Sequence, residues 1–304
     1  MVYPDGLVGP DTVTTGQIRP FVDSKGGIDV NRPAQPNQSH DFHVPASPTN
    51  DTQGISLTSQ GRVATMRKMT DGPALLGELR DGLLDQVLGL LEADPAVEGV
   101  ALIGSLGRGE ADNWSDVDLL VLMGDQALAR FKDKPAASPW AQADLLVDGR
   151  HNSPAGATSV GTTHLRSGLP VRVDLHVHPI AVTPWPVDGR VVLERRAIAV
   201  GTWSFDELNA DGSRQPATAK TSEEIRKIHL SYVPTAGKYI GRRSPRAREM
   251  IRFLGRNPDY EVREPAAQLL ALRDIAGGLP DPSWAWLSDA VASYLDLVEA
   301  TLSL

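Results

Sequence analysis

The chain has 304 residues, a formal net charge of −8 and a pI near 5.4, and 41% of its residues are hydrophobic. This length is enough for one large domain or two smaller ones with a substantial apolar core. The acidic balance argues against a surface that coats nucleic acid or an anionic membrane. The sequence contains no cysteine, which excludes disulfides, thiolate metal sites and a cysteine nucleophile.

The first 68 residues differ in composition from the rest of the chain. They are rich in Pro, Asn, Gln, Ser and Asp, and the first 65 contain only two leucines, Leu7 and Leu57. Such a segment does not bury enough apolar area to offset its ordering entropy. We therefore expect residues 1–68 to form a disordered or loosely attached extension. No signal segment and no apolar run long enough to span a bilayer is present, so a cytoplasmic location follows by elimination.

The first strongly patterned segment begins at Pro73, where leucines and valines recur at steps of three and four residues up to Leu91. This spacing predicts an amphipathic helix that ends at the Asp94-Pro95 pair. Two short buried strands are predicted next, at "EGVALIG" and "DVDLLVLM". A short helix, "DQALARFK", and another strand, "QADLLVD", follow them.

Residues 157–179 predict a hairpin that turns at Ser167 and Gly168, because its second arm alternates strictly between apolar and polar residues. The polar positions of that arm are Arg172, Asp174, His176 and His178. Asp174 is therefore expected on a half-open polar face. The two histidines suit either a zinc site or, with no third nitrogen ligand at a suitable spacing, hydrogen bonds to Asp174. From about Ser222 onward the pattern is helical to the end of the chain.

Two carboxylates stand one residue apart at the start of the strand "DVDLLVLM". Residues i and i+2 of a strand project from the same face, so Asp116 and Asp118 share a side. Their mutual repulsion calls for a proton, a cationic side chain or a divalent metal. Mg²⁺ accepts carboxylates together with substrate phosphates, and Asp174 is placed to supply a third carboxylate if its strand lies alongside.

The glycines upstream of this pair suit the same chemistry. Gly104 and Ser105 end the preceding apolar strand, and a glycine allows backbone to approach a phosphate closely. The hydroxyl of Ser105 adds a donor. These features follow one another in a fixed order: an apolar strand, Gly-Ser, ten residues, Asp-Val-Asp and a second apolar strand. This order indicates a phosphate- and metal-binding site more specifically than any one of the features does.

The stretch "GSLGRGEADNWSDVDLLV" closely resembles the motif of the polymerase-beta-type nucleotidyltransferase superfamily, and "VRVDLHV" resembles its later third carboxylate. The layout, with helices after the catalytic part, is similar to that of the antibiotic nucleotidyltransferases, including those acting on aminoglycosides. The resemblance implies an α+β fold: a small mixed sheet flanked by helices over residues 69–215, then an all-helical C-terminal domain over residues 216–304.

The resemblance also implies roles for individual residues. Asp116, Asp118 and Asp174 would be catalytic and would hold two Mg²⁺ ions. Asp174 or a nearby carboxylate would be the general base, with Asp144 and Glu223 as further candidates. Gly104 and Ser105 would hold the triphosphate of the nucleotide. Independently of the resemblance, Arg108, Ser115, Lys238 and Arg242 are also expected to bind the nucleotide. The alternative is that the acidic residues are ordinary solvent-exposed residues at the start of a strand. Arg108 would then be a loop residue that contacts only solvent.

Residues 220–256 carry an excess of Lys and Arg in an otherwise acidic chain. Cations here would neutralise a triphosphate, and Lys238 and Arg242, four residues apart, would share a helix face. The alternatives are a solvated basic surface and a site for RNA. Aromatic residues are too few in this segment for a convincing stacking platform.

The sequence thus predicts a Mg²⁺-dependent nucleotidyltransferase that moves a nucleoside monophosphate, AMP from ATP in the first instance, to a hydroxyl of a small molecule and releases pyrophosphate. An aminoglycoside-type antibiotic suits the acidic chain, which connects the function to antibiotic resistance. Three alternatives remain: an enzyme modifying a macromolecule (a protein AMP-transferase or a tRNA-directed toxin or antitoxin), a catalytically inactive nucleotide-binding module, and a structural protein.

Overall fold

A computed structural model describes residues 72–149, 153–154, 156–210, 221–277 and 282–302. The predicted extension, residues 1–68, lies outside the described residues, as do Lys220 and the predicted domain boundary at residue 215. Among the described helices, none combines the length and the apolar character that crossing a membrane requires.

The first part of the described chain, residues 72–210, contains all six strands and four of the α-helices. Its helices are α1 (Gly72–Ala93), the single turn α2 (Gly104–Gly107), α3 (Asp125–Asp133) and α4 (Phe205–Ala210). Its strands are β1 (Val97–Leu102), β2 (Val117–Met123), β3 (Leu145–Asp148), β4 (Thr158–Arg166), β5 (Leu169–Pro179) and β6 (Arg190–Glu194). Four further helices follow: α5 (Ser222–Gly241), α6 (Arg246–Gly255), α7 (Pro265–Gly277) and α8 (Ala285–Leu302). The α+β fold class predicted from the sequence is confirmed.

The six strands form one mixed sheet in the order β3-β4-β5-β2-β1-β6. Strands β2 and β5 are parallel neighbours, and the other adjacent pairs are antiparallel. The hairpin predicted over residues 157–179 is formed by β4 and β5. Its turn uses Ser167 and Gly168, both at positive φ.

One face of the sheet packs on α1 and α3. Leu119 and Val121 of β2, with Val173 and Leu175 of β5, join Leu83 of α1 in this core. The alternation predicted for β5 therefore holds on its apolar side, because residues at every second position share a face. The opposite face is the one that carries the carboxylates.

The carboxylate face is covered in two parts. Towards the ends of β2 and β5, Leu120 and Leu122 pack with Trp185 and with Phe205 of α4. Towards the starts of these strands the face meets α5, whose Ser231 and Lys238 are buried. The polar face is therefore open only in part: Arg172 is 7% exposed and His178 is 1% exposed, whereas the side chain of Asp174 is 18% exposed.

Helix α5 begins with a capping box, in which the hydroxyl of Thr221 accepts a hydrogen bond from the Glu224 backbone N–H and the Glu224 carboxylate accepts one from the Thr221 backbone N–H. The helix continues through Pro234 to Gly241. Proline removes one backbone hydrogen bond from a helix. Burial of Val233, Ala236 and Ile240 in the core shared with α6, α7 and α8 offsets this loss.

Candidate active site

The three predicted carboxylates meet where β2 and β5 run side by side. Asp118 of β2 and Asp174 of β5 are direct partners in the parallel register, so their backbones are about 4.8 Å apart. Asp116 lies just before β2, two residues from Asp118. Burial, and after it the charges of Asp174 and Asp116, raises the pKa of Asp118 to about 7. The structure therefore brings all three carboxylates together.

Gly104 packs directly against Asp118. Its φ is +62°, and a Cβ at this position would lie 2.8 Å from an Oδ atom of Asp118. The backbone N–H of Ile103 donates to the backbone carbonyl of Asp118 at 3.0 Å. A glycine is required here both for the left-handed conformation and for the close approach. The Gly-Ser turn thus forms one wall of the carboxylate site.

Lys238 reaches the carboxylates from α5. Its ammonium group donates to Oδ2 of Asp116, and the two side chains are 4% and 14% exposed. The sequence placed Lys238 at the site through the excess of cations in residues 220–256 and through its spacing from Arg242. Because α5 continues past Pro234, this lysine lies on the last turn of the helix, facing β2.

Arg172 also lies in this candidate site, although its sequence position alone indicated no role. Its guanidinium donates to both carboxylate oxygens of Asp174, from Nε at 2.9 Å and from Nη2 at 2.6 Å. Nη1 donates to the hydroxyl of Ser231, and Cζ lies 4.1 Å from the ring centroid of Tyr232. Burial favours a raised pKa for Asp174, but the charge and hydrogen bonds of Arg172 outweigh burial and lower the pKa. The position of Arg172 on the polar side of β5 was the available signal.

Gly161 of β4 leaves the space that this ion pair fills. It is the register partner of Asp174. A Cβ on Gly161 would lie 2.5 Å from Nη2 of Arg172 and 3.1 Å from Oδ1 of Asp174. Strand interiors disfavour glycine, so its presence here marks a close approach of side chains.

Four of the predicted nucleotide-binding residues form one connected group beside the carboxylates. The hydroxyls of Ser105 and Ser115 are 3.0 Å apart. Arg242 donates from Nη2 to the Ser115 hydroxyl at 3.1 Å and from Nε to Asp112 at 2.8 Å. Gly104 precedes Ser105 in the same turn. This group places two hydroxyls and one guanidinium on the α5 side of the Gly-Ser turn.

Three other candidates, Arg108, Asp144 and Glu223, make their contacts with residues other than the three carboxylates. Arg108 pairs with Glu110 at 2.8 Å and approaches Asp188 at 3.8 Å. Asp144 accepts a hydrogen bond from the Leu165 backbone at 2.7 Å, on the β3 side of the sheet.

Glu223 pairs with Lys227 at 2.8 Å in the first turn of α5. Fifteen residues separate it from Lys238, which is about 22 Å along a helix axis. Neither Asp144 nor Glu223 therefore lies with the carboxylate group.

The two histidines of β5 are packed rather than solvent-facing. The ring centroids of His176 and Phe205 are 4.8 Å apart, and those of His178 and Phe205 are 6.2 Å apart. Burial lowers the pKa of His176 to about 4 and that of His178 to about 3. Both rings are therefore neutral at pH 7, and each has a buried nitrogen without a hydrogen-bond partner among the described residues.

The carboxylate group suits a hard divalent cation in its chemistry. The three carboxylates supply the oxygen ligands that Mg²⁺ prefers. Burial, and after it the charges of Asp174 and Asp116, raises the pKa of Asp118, and a bound cation would offset the repulsion among these charges. Within the described ranges, however, no three acidic or histidine side chains are already arranged around a metal-sized point. Lys238 and Arg172 occupy oxygens of Asp116 and Asp174 instead.

Several of the described cations in residues 220–256 form ion pairs within the chain. These pairs are Lys227 with Glu223, Lys238 with Asp116, Arg242 with Asp112, and both Arg248 and Arg252 with Glu261. Paired cations contribute less to the field that attracts a polyanion than free ones do. The segment thus stabilises the fold and the site as well as contributing positive charge.

Residues 84–180 match the family model of the nucleotidyltransferase domain. This segment contains β1, the Gly-Ser turn, β2 and β5, and so includes Gly104, Asp116, Asp118 and Asp174. The match supports the nucleotidyltransferase superfamily and a nucleotidyltransferase enzyme. It does not extend to a resemblance specific to aminoglycoside-modifying enzymes.

No curated protein matches the chain significantly. Among solved structures, the chain is similar to the STING-associated CdnE c-di-GMP synthase from Capnocytophaga granulosa, with 13% sequence identity and a TM-score of 0.26. The similarity covers 78% of this chain and 81% of that chain. A likeness with so low a TM-score does not allow residues or substrates to be transferred between the two proteins.

Proposed function

We propose that this chain, in which residues 84–180 match a nucleotidyltransferase domain, transfers a nucleoside monophosphate from an NTP to a hydroxyl of a small-molecule acceptor and releases pyrophosphate. The observation that carries the proposal is the register of β2 and β5, which sets Asp118 beside Asp174 with Asp116 two residues away. ATP is the proposed donor and two Mg²⁺ ions are the proposed cofactor.

Each site residue has a proposed role that follows from its contacts. Asp116, Asp118 and Asp174 hold the metal ions. Ions bound there would align the nucleophile with the phosphorus atom and stabilise the charge that develops on the phosphate oxygens. Ser105, Lys238 and Arg242 bind the triphosphate through hydroxyl, ammonium and guanidinium groups on one side of the carboxylates. Positioning and charge stabilisation of this kind account for most of the rate enhancement in phosphoryl transfer.

The contact with Arg172 bears on whether Asp174 acts as a metal ligand or as the general base. A carboxylate whose pKa is lowered accepts a proton weakly. The ion pair with Arg172 therefore favours Asp174 as a metal ligand over Asp174 as the general base. Asp118, whose pKa is raised by burial and then by the neighbouring carboxylates, is the central member of the group and lies against Gly104.

A small acceptor fits this chain better than a polyanion does. The cations of α5 and α6 pair with carboxylates of the same chain, and the chain carries a net charge of −8. Both features disfavour a nucleic-acid acceptor and suit a cationic one. We therefore place aminoglycoside-type antibiotics first among the candidate acceptors.

The test is pyrophosphate release from each of the four NTPs with Mg²⁺, across aminoglycosides, other hydroxylated antibiotics and tRNA. Asp116→Asn should abolish release that depends on an acceptor. The matched control is Asp133→Asn, which changes an exposed aspartate on α3 and should leave the rate unchanged. If the full chain binds neither ATP nor a divalent metal, separately or together, the proposal is wrong.

A further inference from the structure

A cleft lies at the edge of the sheet that β3 forms. Its volume is about 610 Å³, which is within the range of cavities that hold small molecules. Its lining comes from the turn Pro135–Ala137 after α3, from the start of β3, from the first half of α5 and from Trp284, just before α8. We call this feature the β3 cleft.

The β3 cleft is separate from the candidate active site. Strand β4 lies between β3 and β5, so β3 and β5 are about 10 Å apart. The α5 residue of the cleft, Lys227, precedes Lys238 by eleven residues, which is about 16 Å along a helix axis. Asp116, Asp118 and Asp174 do not line the cleft. A molecule bound in the β3 cleft would therefore leave the three carboxylates accessible.

An indole ring forms part of the wall of the β3 cleft. Trp284 is half-buried and packs on the helical core, and its ring centroid lies 6.1 Å from that of Trp286. Leu145 and Leu146 of β3 supply apolar surface in the same cleft. An indole that is held by such packing offers a surface on which a flat aromatic ring can stack.

Two ammonium groups also line the β3 cleft. Nζ of Lys227 lies 5.6 Å from the ring centroid of Trp284, within the range of a cation–π contact. Lys134 is exposed, and no residue in the described ranges forms an ion pair with it. Asp144, the carboxylate among the described lining residues, already accepts the Leu165 backbone N–H at 2.7 Å. Positive charge therefore exceeds negative charge in this lining, although the chain as a whole carries −8.

The ion pair of Lys227 leaves this positive charge available. Its partner Glu223 lies one turn earlier on α5, at 2.8 Å, and the Glu223 side chain is 63% exposed. Exposed pairs four residues apart on a helix contribute little to stability. Lys227 can therefore turn from Glu223 to an anion in the cleft at small cost.

We propose that the β3 cleft binds a small planar aromatic molecule that carries one anionic group, a phosphate or a carboxylate. The ring stacks on Trp284 and packs against Leu145 and Leu146, and the anionic group accepts hydrogen bonds from Lys134 and Lys227. An uncharged aromatic molecule gains the stacking alone. Because the lining joins β3 to α5, the bound molecule contacts both the sheet and the C-terminal helices.

Calorimetry on the full chain in EDTA tests the proposal with three probes: 1-naphthyl phosphate, 1-naphthoate and 1-naphthol. At least one of the two anions should bind about 10-fold more tightly than 1-naphthol, because charge-assisted hydrogen bonds add to the stacking. The anion that binds more tightly identifies the preferred group. If neither anion binds, or if 1-naphthol binds as tightly as both anions, the proposal is overturned.

Two variants assign the binding to this cleft. Trp284→Leu removes the stacking surface and Lys134→Met removes one charge, and each should weaken binding of the preferred anion about 5-fold or more. Trp203→Leu and Lys132→Met are the matched controls, since Trp203 is 46% exposed outside the cleft and Lys132 donates to the Gly156 backbone carbonyl. Both controls should keep the affinity of the unmodified chain. Unchanged affinity in Lys134→Met or in folded Trp284→Leu overturns the proposal.

The result does not depend on nucleotidyl transfer. EDTA removes divalent metals, so no metal at the carboxylates can hold the probe, and failure of this proposal leaves the proposed function intact. Circular dichroism establishes whether Trp284→Leu is folded. If it is not, Lys134→Met decides the question, because it changes an exposed side chain.

Discussion

Asp118 and Asp174 face each other across β2 and β5, yet their environments act on them in opposite directions. Burial and two neighbouring carboxylates raise the pKa of Asp118 to about 7, whereas the guanidinium of Arg172 outweighs burial and lowers the pKa of Asp174. Neighbouring carboxylates with pKa values pushed apart are typical of sites where two groups have different tasks. The difference depends on Arg172, which can be tested directly.

Arg172→Met should destabilise the protein by about 3 kcal/mol, because it leaves the Asp174 carboxylate buried without its partner. Urea unfolding at pH 7 measures this change. Arg166→Met is the control, since Arg166 is bonded to Gln86 in an exposed contact; its effect should stay within about 0.5 kcal/mol. Equal stability of the two variants would show that the Arg172–Asp174 pair adds nothing to folding.

Gly161→Ala should reduce nucleotidyl transfer at least about 10-fold, because the new Cβ would lie 2.5 Å from Nη2 of Arg172 and displace the ion pair. Steady-state pyrophosphate release gives the rate. Gly82→Ala, in α1, has no atom within 4 Å of the new Cβ. That variant should keep full activity and gain about 0.5–1 kcal/mol of stability from helix propensity. Full activity in Gly161→Ala would remove this glycine from the site.

Thr221→Ala should lower the free energy of unfolding by about 1 kcal/mol, because it removes the hydroxyl that caps α5. Thermal or urea unfolding measures the loss. Ser222→Ala is the control at the next position, where the residue is exposed. Since Lys238 lies at the far end of the helix, the rate at 25 °C should change little in either variant. A large loss of rate with intact stability would contradict this separation.

The stability of the protein should fall as the pH falls from 7 to 5, in part through His178. Its pKa is about 3 when folded and about 6.5 when unfolded. The unfolded chain therefore binds the proton first, so the stabilisation present above pH 6.5 is lost on acidification. This histidine alone contributes a loss of about 2 kcal/mol between pH 7 and pH 5.

His178→Gln tests this contribution, because glutamine does not titrate. Its free energy of unfolding should fall by about 2 kcal/mol less than that of the unmodified chain over the same pH interval. Urea unfolding at pH 7, 6 and 5 provides the comparison. Parallel pH profiles for the two proteins would mean that His178 is not buried in neutral form.

The parts of the fold with strong local periodicity were predictable. The leucine spacing of α1 and the alternation of β5 each arise from a single face that packs on the core. Helix α5 shows the limit, because the helical pattern from about Ser222 onward gives no individual bounds, whereas the structure continues this helix through Pro234 to Gly241. Tertiary burial overrides the helix-breaking tendency of proline there, and a local pattern does not contain that information.

The residues that form the candidate site were predictable where they lie close together in the chain. Asp116 and Asp118 were found from a spacing of two, and Gly104 from its place between two strands. The pairing of Asp116 with Lys238, and the packing of Gly161 against Arg172, depend on contacts between elements remote in sequence. A single sequence gives no measure of such contacts, and Arg172 was therefore described only as one polar residue of its strand.

The parallel pairing of β2 with β5 also bears on how freely this chain can change in length. Parallel neighbours cannot be joined by a tight turn, and here the connection, residues 124–168, contains α3, β3 and β4. Insertions or deletions at its surface loops would alter the number of residues between Asp118 and Asp174 and leave the distance between their strands unchanged. The number of residues between Asp118 and Asp174 is thus set by the connection and not by the site. A search for related chains should therefore allow any number of residues between these two positions.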